Sequence, residues 1–283
     1  NYQPNSLARS LQGKNTRLVG LIFPTVANPF YGELVEKIER KLFEMDYRTI
    51  LCDSAHNKEK ERSYLNMLAA NKVDGIIAGA HNLGIEEYED LELPIVSFDR
   101  YLADGIPIVG SDNFQGGFLA TENLFLRGAR KIAIMTGSQE SDSPTNERLN
   151  GYLAFLEKQG LPSQIFPFHS TAQSTTLKKL EIKRILENED IDGIFCTDDL
   201  TAILVANQCH KSNISVPDQL KIIGYDGTKL IQNYFPQLTT MAQPISDYAD
   251  VLIDLLLQRV QEPEKPLESH YHLPVKLIQG ETT

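Results

Sequence analysis

No apolar run in these 283 residues approaches the roughly 18 that a membrane-spanning helix needs, and the first residues lack the charged-then-apolar pattern of a secretory leader. A cytoplasmic protein with no membrane partner is therefore expected. Cysteine is scarce: Cys52, Cys196 and Cys209 are odd in number and lie within apolar runs, which fits buried reduced thiols and not a disulfide framework. Acidic residues are absent from the first 32 positions, where Arg9, Lys14 and Arg17 are the only charges. That leader carries +3, and the rest carries −14 of a net −11. So acidic a body argues against nucleic acid as a partner for most of the chain, and the weakly basic leader is the exception.

Several enzyme signatures are missing as well. No G-x-G-x-x-G follows the first apolar run, no G-x-x-x-x-G-K-[ST] occurs, and no Ser or Cys sits in a nucleophile-elbow pattern. Asp198 and Asp199 are adjacent, so their side chains point apart and cannot flank a scissile glycosidic bond. His270 and His272 share one face of an expected strand but have no evident third ligand. Neither a catalyst nor a metal or cofactor is expected.

What is present has a clear rhythm. With 41% hydrophobic and 23% charged residues, the chain can bury two cores. Short β-rich runs (LVGLIF, RTILCDS, GIIAGA) alternate with amphipathic segments (PFYGELVEKIERKLFEM, KEKERSYLNMLAANKV), and the alternation resumes with KIAIMTG, GIFCTDD and KIIGYDG. Runs such as IIAG and IAIM are apolar at every position, as strands buried on both faces of a parallel sheet should be. Arg17-Leu-Val-Gly-Leu-Ile-Phe echoes Arg130-Lys-Ile-Ala-Ile-Met-Thr, and Val73-Asp-Gly-Ile-Ile echoes Ile191-Asp-Gly-Ile-Phe, at lags of 113 and 118 residues. A lag of that length is a domain-sized repeat.

The expected fold is therefore α/β, with two doubly wound parallel-sheet subdomains joined by crossover strands. Residues 1–15 would form a helix and linker, 16–110 plus about 243–268 the first subdomain, and 111–242 plus about 269–283 the second.

Ligands of doubly wound sheets bind beyond the carboxyl ends of the strands. Candidates at such ends are Asp99 and Arg100, Phe168 and His169, Asp198, and Asp226, with Phe30 and Tyr31 opening the first long helix and Arg148 near the start of a later one. Carboxylates accept from adjacent sugar hydroxyls, a guanidinium donates a planar fork, and an aromatic face stacks on the C–H face of a sugar ring. Structural roles are open to the same residues: Asp99 and Asp226 can close turns, Arg148 can be a surface residue, and Phe30 and Tyr31 can be core.

Residues 2–11, Asn28-Pro-Phe-Tyr-Gly-Glu33, Ser111-Asp-Asn113, Arg148-Leu-Asn-Gly-Tyr152, Asp198-Asp199, Gly224-Tyr-Asp226, Leu238-Thr-Thr240 and Leu273-Pro through Gly280 follow one another as in the lactose-repressor/galactose-repressor (LacI/GalR) family of bacterial regulators, which the chain resembles along essentially its whole length. The resemblance implies a periplasmic-binding-protein-like (type I) fold and a sugar-responsive repressor of a carbohydrate-utilisation operon. It further implies a homodimer, a sugar or sugar-phosphate effector held by Asp99, Arg100, Arg148, Asp198, Asp226, Phe30, Tyr31, Phe168 and His169, and operator DNA as partner. The operator would be met through a helix-turn-helix headpiece preceding this chain and through a hinge helix containing Asn5, Ala8 and Leu11. A helix over about Asn5 to Gln12 is too short to be stable alone in water, so DNA would order it, and Leu11 would wedge into the minor groove. Phe98-Asp-Arg100 and Ser111-Asp-Asn113 resemble sucrose- and ribose-responsive members. A periplasmic-type sugar-binding protein and a purine-responsive repressor are the alternatives.

Overall fold

The structure, a computed structural model, describes residues 15–80, 82, 84–137, 144–167 and 175–283. The hinge residues Asn5, Ala8 and Leu11 and the aromatic pair Phe168 and His169 lie outside the described residues. The chain divides into two compact units, one running to Gly110 and resuming over Ile245–Leu273, the other comprising Ser111–Pro244 and Pro274–Thr283. Among the described residues no helix is long and apolar enough to cross a membrane.

In the first unit, strands β1 (Leu18–Phe23), β2 (Arg48–Asp53), β3 (Gly75–Ala78), β4 (Ile95–Phe98), β5 (Ile108–Ser111) and β11 (His270–Leu273) form one sheet in the order 11-5-4-3-1-2. In the second, β6 (Ile132–Thr136), β7 (Gln164–Pro167), β8 (Gly193–Cys196), β9 (Lys221–Asp226), β10 (Thr239–Ala242) and β12 (Lys276–Ile278) repeat that order as 12-10-9-8-6-7. The pairings of β1 with β2 and β3, and of β6 with β7 and β8, are parallel, whereas β12 runs antiparallel to β10. The alternating side chains of β1 feed two cores: Val19, Leu21 and Phe23 enter one, and Ile22 enters the other. In β6, Ile132 and Ile134 face one core and Ala133 and Met135 the second. All three cysteines are buried without disulfides, and burial pushes the thiols of Cys52 and Cys209 up to about 11.

Five of the described helices start where the sequence supplies a side-chain cap. Asn28 accepts from the Phe30 amide at 2.9 Å and Pro29 follows, opening α1 (Pro29–Glu44), whose Phe30, Leu34, Ile38 and Leu42 bury one face at four-residue spacing. Asn57 caps α2 (Lys58–Ala70) through the Lys60 amide. A short α3 (Glu87–Asp90) precedes β4, and Asp112 caps α4 (Asn113–Leu126) through the Gln115 amide. After α5 (Pro144–Gln159) and α6 (Thr175–Asn188), Asp198 caps α7 (Asp199–Lys211) and Thr228 caps α8 (Lys229–Tyr234). The last helix, α9 (Ile245–Gln261), returns to the first unit and buries Ile245, Tyr248, Ala249, Leu252, Ile253 and Leu256 there. Burial of each such large apolar side chain contributes about 1.5–3 kcal/mol.

One boundary differs from expectation. The sequence pattern assigns residues 269–273 to the second subdomain, yet β11 lies at the edge of the first sheet, where Tyr271 and Leu273 pack against the core that holds Val109 and Leu256. Pro274, with no amide hydrogen, ends the strand, and only the following residues enter the second unit.

Candidate functional site

The amino ends of the two sheets are built alike. Asp74, just before β3, accepts from the backbone amides of Thr16 at 2.7 Å and Arg17 at 3.0 Å. Asp192, just before β8, accepts from the amides of Arg130 at 2.9 Å and Lys131 at 2.7 Å. This shared clamp is the physical content of the repeated Asp-Gly.

At the carboxyl end of the second sheet the residues form a polar network around Arg148. Its placement begins with two glycines. A Cβ on Gly117 of α4 would fall 2.0 Å from the Arg148 carbonyl oxygen, and a Cβ on Gly151 of α5 would fall 2.0 Å from that of Phe114, so glycine is what lets the two helix backbones approach. Held there, Arg148 is only 5% exposed. Its Nε donates to Asn113 Oδ1 at 2.8 Å and its Nη1 to the Thr197 carbonyl at 2.7 Å. The guanidinium lies over the Tyr225 ring, 3.7 Å from its centroid, and Nη1 is 3.9 Å from Asp226 Oδ1. A buried guanidinium with such partners has a fixed direction, which a surface arginine lacks.

Asp226 ends β9 with φ +108°, a backbone conformation that residues with side chains rarely adopt. Its Oδ1 accepts from Gln243 Nε2 at 2.8 Å, and Gln243 Oε1 accepts from Ser111 Oγ at 2.9 Å. Below it lies Asp199, buried in the first turn of α7, accepting from the Gly227 amide at 2.7 Å and the Thr240 hydroxyl at 2.6 Å. Burial, and then the nearby Asp226 carboxylate, hold the Asp199 carboxyl well above the usual carboxylate range, against the pull of those two hydrogen bonds. Asp198 does something else. Both its oxygens accept from Thr201, one from the amide at 2.8 Å and one from the hydroxyl at 2.7 Å, closing the start of α7.

The carboxyl end of the first sheet is more apolar. Asp99 follows β4 with φ +65°, donates its amide to the Val109 carbonyl at 2.9 Å, and lies against Gly110, where a Cβ would be 2.8 Å from Asp99 Oδ1. Arg100 is buried beside it, and its carbonyl accepts from Ser97 Oγ. His56 is held below the usual histidine range, chiefly by burial, with the Arg100 charge adding to it and Asp53 opposing. Phe30 is a core side chain, 5% exposed, with its ring 5.8 Å from Phe98 and 5.3 Å from Tyr31. Tyr31 packs half-buried on the same cluster, 6.1 Å from Phe23. Of the two roles open to Phe30, packing is the one its surroundings explain.

Within the second unit the fold thus brings Arg148 and Asp226 together and gives Asp198 to a helix cap. Asn113, Tyr225, Asp199 and Gln243 complete the network although none stood among the expected site residues. Asn113 and Tyr225 belong to Ser-Asp-Asn and Gly-Tyr-Asp, which carry a signal; Gln243, within Met-Ala-Gln-Pro, carries none. Among the described residues no cluster of His, Cys, Asp and Glu has the makings of a metal site.

Comparison with known proteins adds the family. Residues 121–283 match the periplasmic binding protein-like domain. A sucrose operon repressor of Pediococcus pentosaceus is 56% identical over 283 residues, covering 99% of this chain and 86% of the relative. A ribose operon repressor of Halalkalibacterium halodurans is 37% identical, covering 100% and 84%. The crystal structure of a periplasmic binding protein/LacI transcriptional regulator from Alkaliphilus metalliredigens, complexed with D-xylulofuranose, superposes with a TM-score of 0.85 at 33% identity, covering 94% of this chain and 99% of that one. The two six-stranded sheets and these relatives together lead to one conclusion: the chain belongs to the LacI/GalR family of transcriptional regulators and carries its periplasmic-binding-protein-like effector-binding core.

Proposed function

We propose that this chain is the effector-binding core of a sugar-responsive repressor of a carbohydrate operon, and that its effector carries a furanose ring, as sucrose, fructose and their phosphates do. The observation that carries the reading is the 56% identity to a sucrose operon repressor along the whole chain, and a regulator complexed with D-xylulofuranose supports the ring class. The chemistry fits. Arg148 is a buried, aimed donor of the kind that holds ring and hydroxyl oxygens, and Asp226 is a carboxylate at a strand end that can accept from two neighbouring hydroxyls. Asp99, Arg100 and Tyr31 of the first unit are kept as effector-binding candidates on the family resemblance. Phe168 and His169, outside the described residues, are retained as further effector contacts.

Regulation follows from linkage. The chain would act as a homodimer in the cytoplasm, and effector binding would change operator affinity through the hinge residues Asn5, Ala8 and Leu11, with a coupling free energy of about 1–3 kcal/mol. The protein has no reaction to catalyse.

Thermal unfolding against sucrose, fructose, fructose 1-phosphate, xylulose, ribose and hypoxanthine tests the reading. At about 100 times its dissociation constant the effector should add about 2.7 kcal/mol, visible as a higher Tm, and Asp226→Ala should lose the shift. A shift with hypoxanthine and none with the sugars would overturn the ligand class.

A further inference from the structure

Asp199 ties three elements of the second unit at once: it stands on α7, takes the Gly227 amide after β9 on one oxygen, and takes the Thr240 hydroxyl of β10 on the other. The residue immediately before that amide is Asp226, whose backbone sits at φ +108°. Among the interactions that hold it there are Gly227 to Asp199, the Gln243 amide to the Asp226 carbonyl at 3.0 Å, and Gln243 Nε2 to Asp226 Oδ1. The first of these fixes the peptide immediately after Asp226. Room for the strut comes from Gly224, where a Cβ would fall 2.3 Å from Asp199 Oδ1. A side chain there would displace the carboxyl, so Gly224, Asp199 and Gly227 form one mechanical unit.

We propose that Asp199 is a positioning residue of the effector site, aiming the Asp226 carboxylate through the Gly227 amide and the Thr240 hydroxyl, so that sugar affinity depends on a side chain that touches no sugar. The inference rests on the proposed effector role of Asp226. It also explains why two adjacent aspartates stand at this strand end: Asp198 builds the helix, and Asp199 builds the site.

Charge gives the strut a second property. The titratable groups around Asp199 are Asp198 on its own flank, Cys196 on β8 and Asp226 on β9, with Arg148 of α5 beside Asp226. Burial and the charges of Asp226 and Asp198 disfavour a further anion, so Asp199 keeps its proton above the usual carboxylate range. A group whose folded pKa is raised contributes stability that is full below its unfolded pKa and is lost as pH rises through the folded one. Deprotonation also places an anion against Asp226, so sugar affinity should fall across the same window.

The experiment compares Asp199→Ala, Asp199→Asn and Thr240→Val with the native chain, using the tightest binder among sucrose, fructose, fructose 1-phosphate, xylulose and ribose as probe. Asp199→Ala should weaken binding about tenfold or more, and Asp199→Asn, which keeps an acceptor for Gly227, should recover most of that loss. The asparagine variant should also lose the decline of affinity with rising pH, which a purely structural role would not predict. Thr240→Val removes one arm and should weaken binding by less than the alanine change. In parallel, amide exchange at Gly227 should speed by at least about tenfold in Asp199→Ala and not in Asp199→Asn. Unchanged affinity in all three folded variants, with Gly227 still protected, would overturn the inference. If the native chain binds none of these sugars the functional reading fails instead, and Gly227 exchange alone decides whether Asp199 holds the turn.

Discussion

The two units share a plan and differ in how they finish it. At the amino ends, Asp74 and Asp192 make the same backbone clamp, and Arg17 and Arg130 beside them each lie over an aromatic ring, Tyr47 at 4.9 Å and Phe125 at 3.9 Å. At the carboxyl ends, β4 and β9 occupy equivalent places in the strand order and both lead into an aspartate at positive φ, Asp99 and Asp226. There the likeness stops. In the first unit the strand end is packed through Phe98 against Phe23, Phe30 and Tyr248, whereas in the second it meets Arg148, Asn113, Asp199 and Gln243. Amino ends answer to folding, which asks the same of both halves; the carboxyl ends are not held to that common demand, and the residues that finish them differ in kind.

The largest expected losses come from the two carboxyl ends. Phe30→Ala should cost the first unit about 3–5 kcal/mol by opening a cavity, and Arg148→Met should cost the second about 3–5 kcal/mol by leaving Asp226 buried without its cation. Denaturant unfolding of each variant measures both losses, and only Arg148→Met should improve when Asp226 is also made neutral. Next in size is Gly151→Ala, which should cost about 1–3 kcal/mol because neither helix backbone can yield to the added methyl. Smallest are Asp74→Ala and Asp192→Ala, each removing a partly exposed clamp worth about 1–2 kcal/mol. Near-equal losses in that last pair would support the shared plan, and a large inequality would show that the two amino ends are not equivalent.

The parts that are legible in the sequence are those fixed by local chemistry. IIAG and IAIM announce buried strands because no polar residue interrupts them, and the echo of Val73-Asp-Gly with Ile191-Asp-Gly reports a clamp that each half needs. Arg148 and Asp226 are legible through the motif order around them. Other features depend on contacts remote in sequence. Asp198 and Asp199 are indistinguishable in a string; only the direction of α7 sends one back to Thr201 and the other down to Gly227 and Thr240. Gln243 reaches Asp226 from the end of β10, and β11 joins the first sheet because Tyr271 and Leu273 find a core there, choices no local pattern announces.

The deciding measurement follows the Nε–H resonance of Arg148 while a furanose that raises the Tm is titrated into the isotopically labelled protein. Because that hydrogen is buried and bonded to Asn113, it should give its own signal, and that signal should shift saturably with the same dissociation constant as the thermal effect. A sugar that stabilises the protein while the Arg148 signal stays fixed would place the effector elsewhere and contradict the assignment of this network as its site.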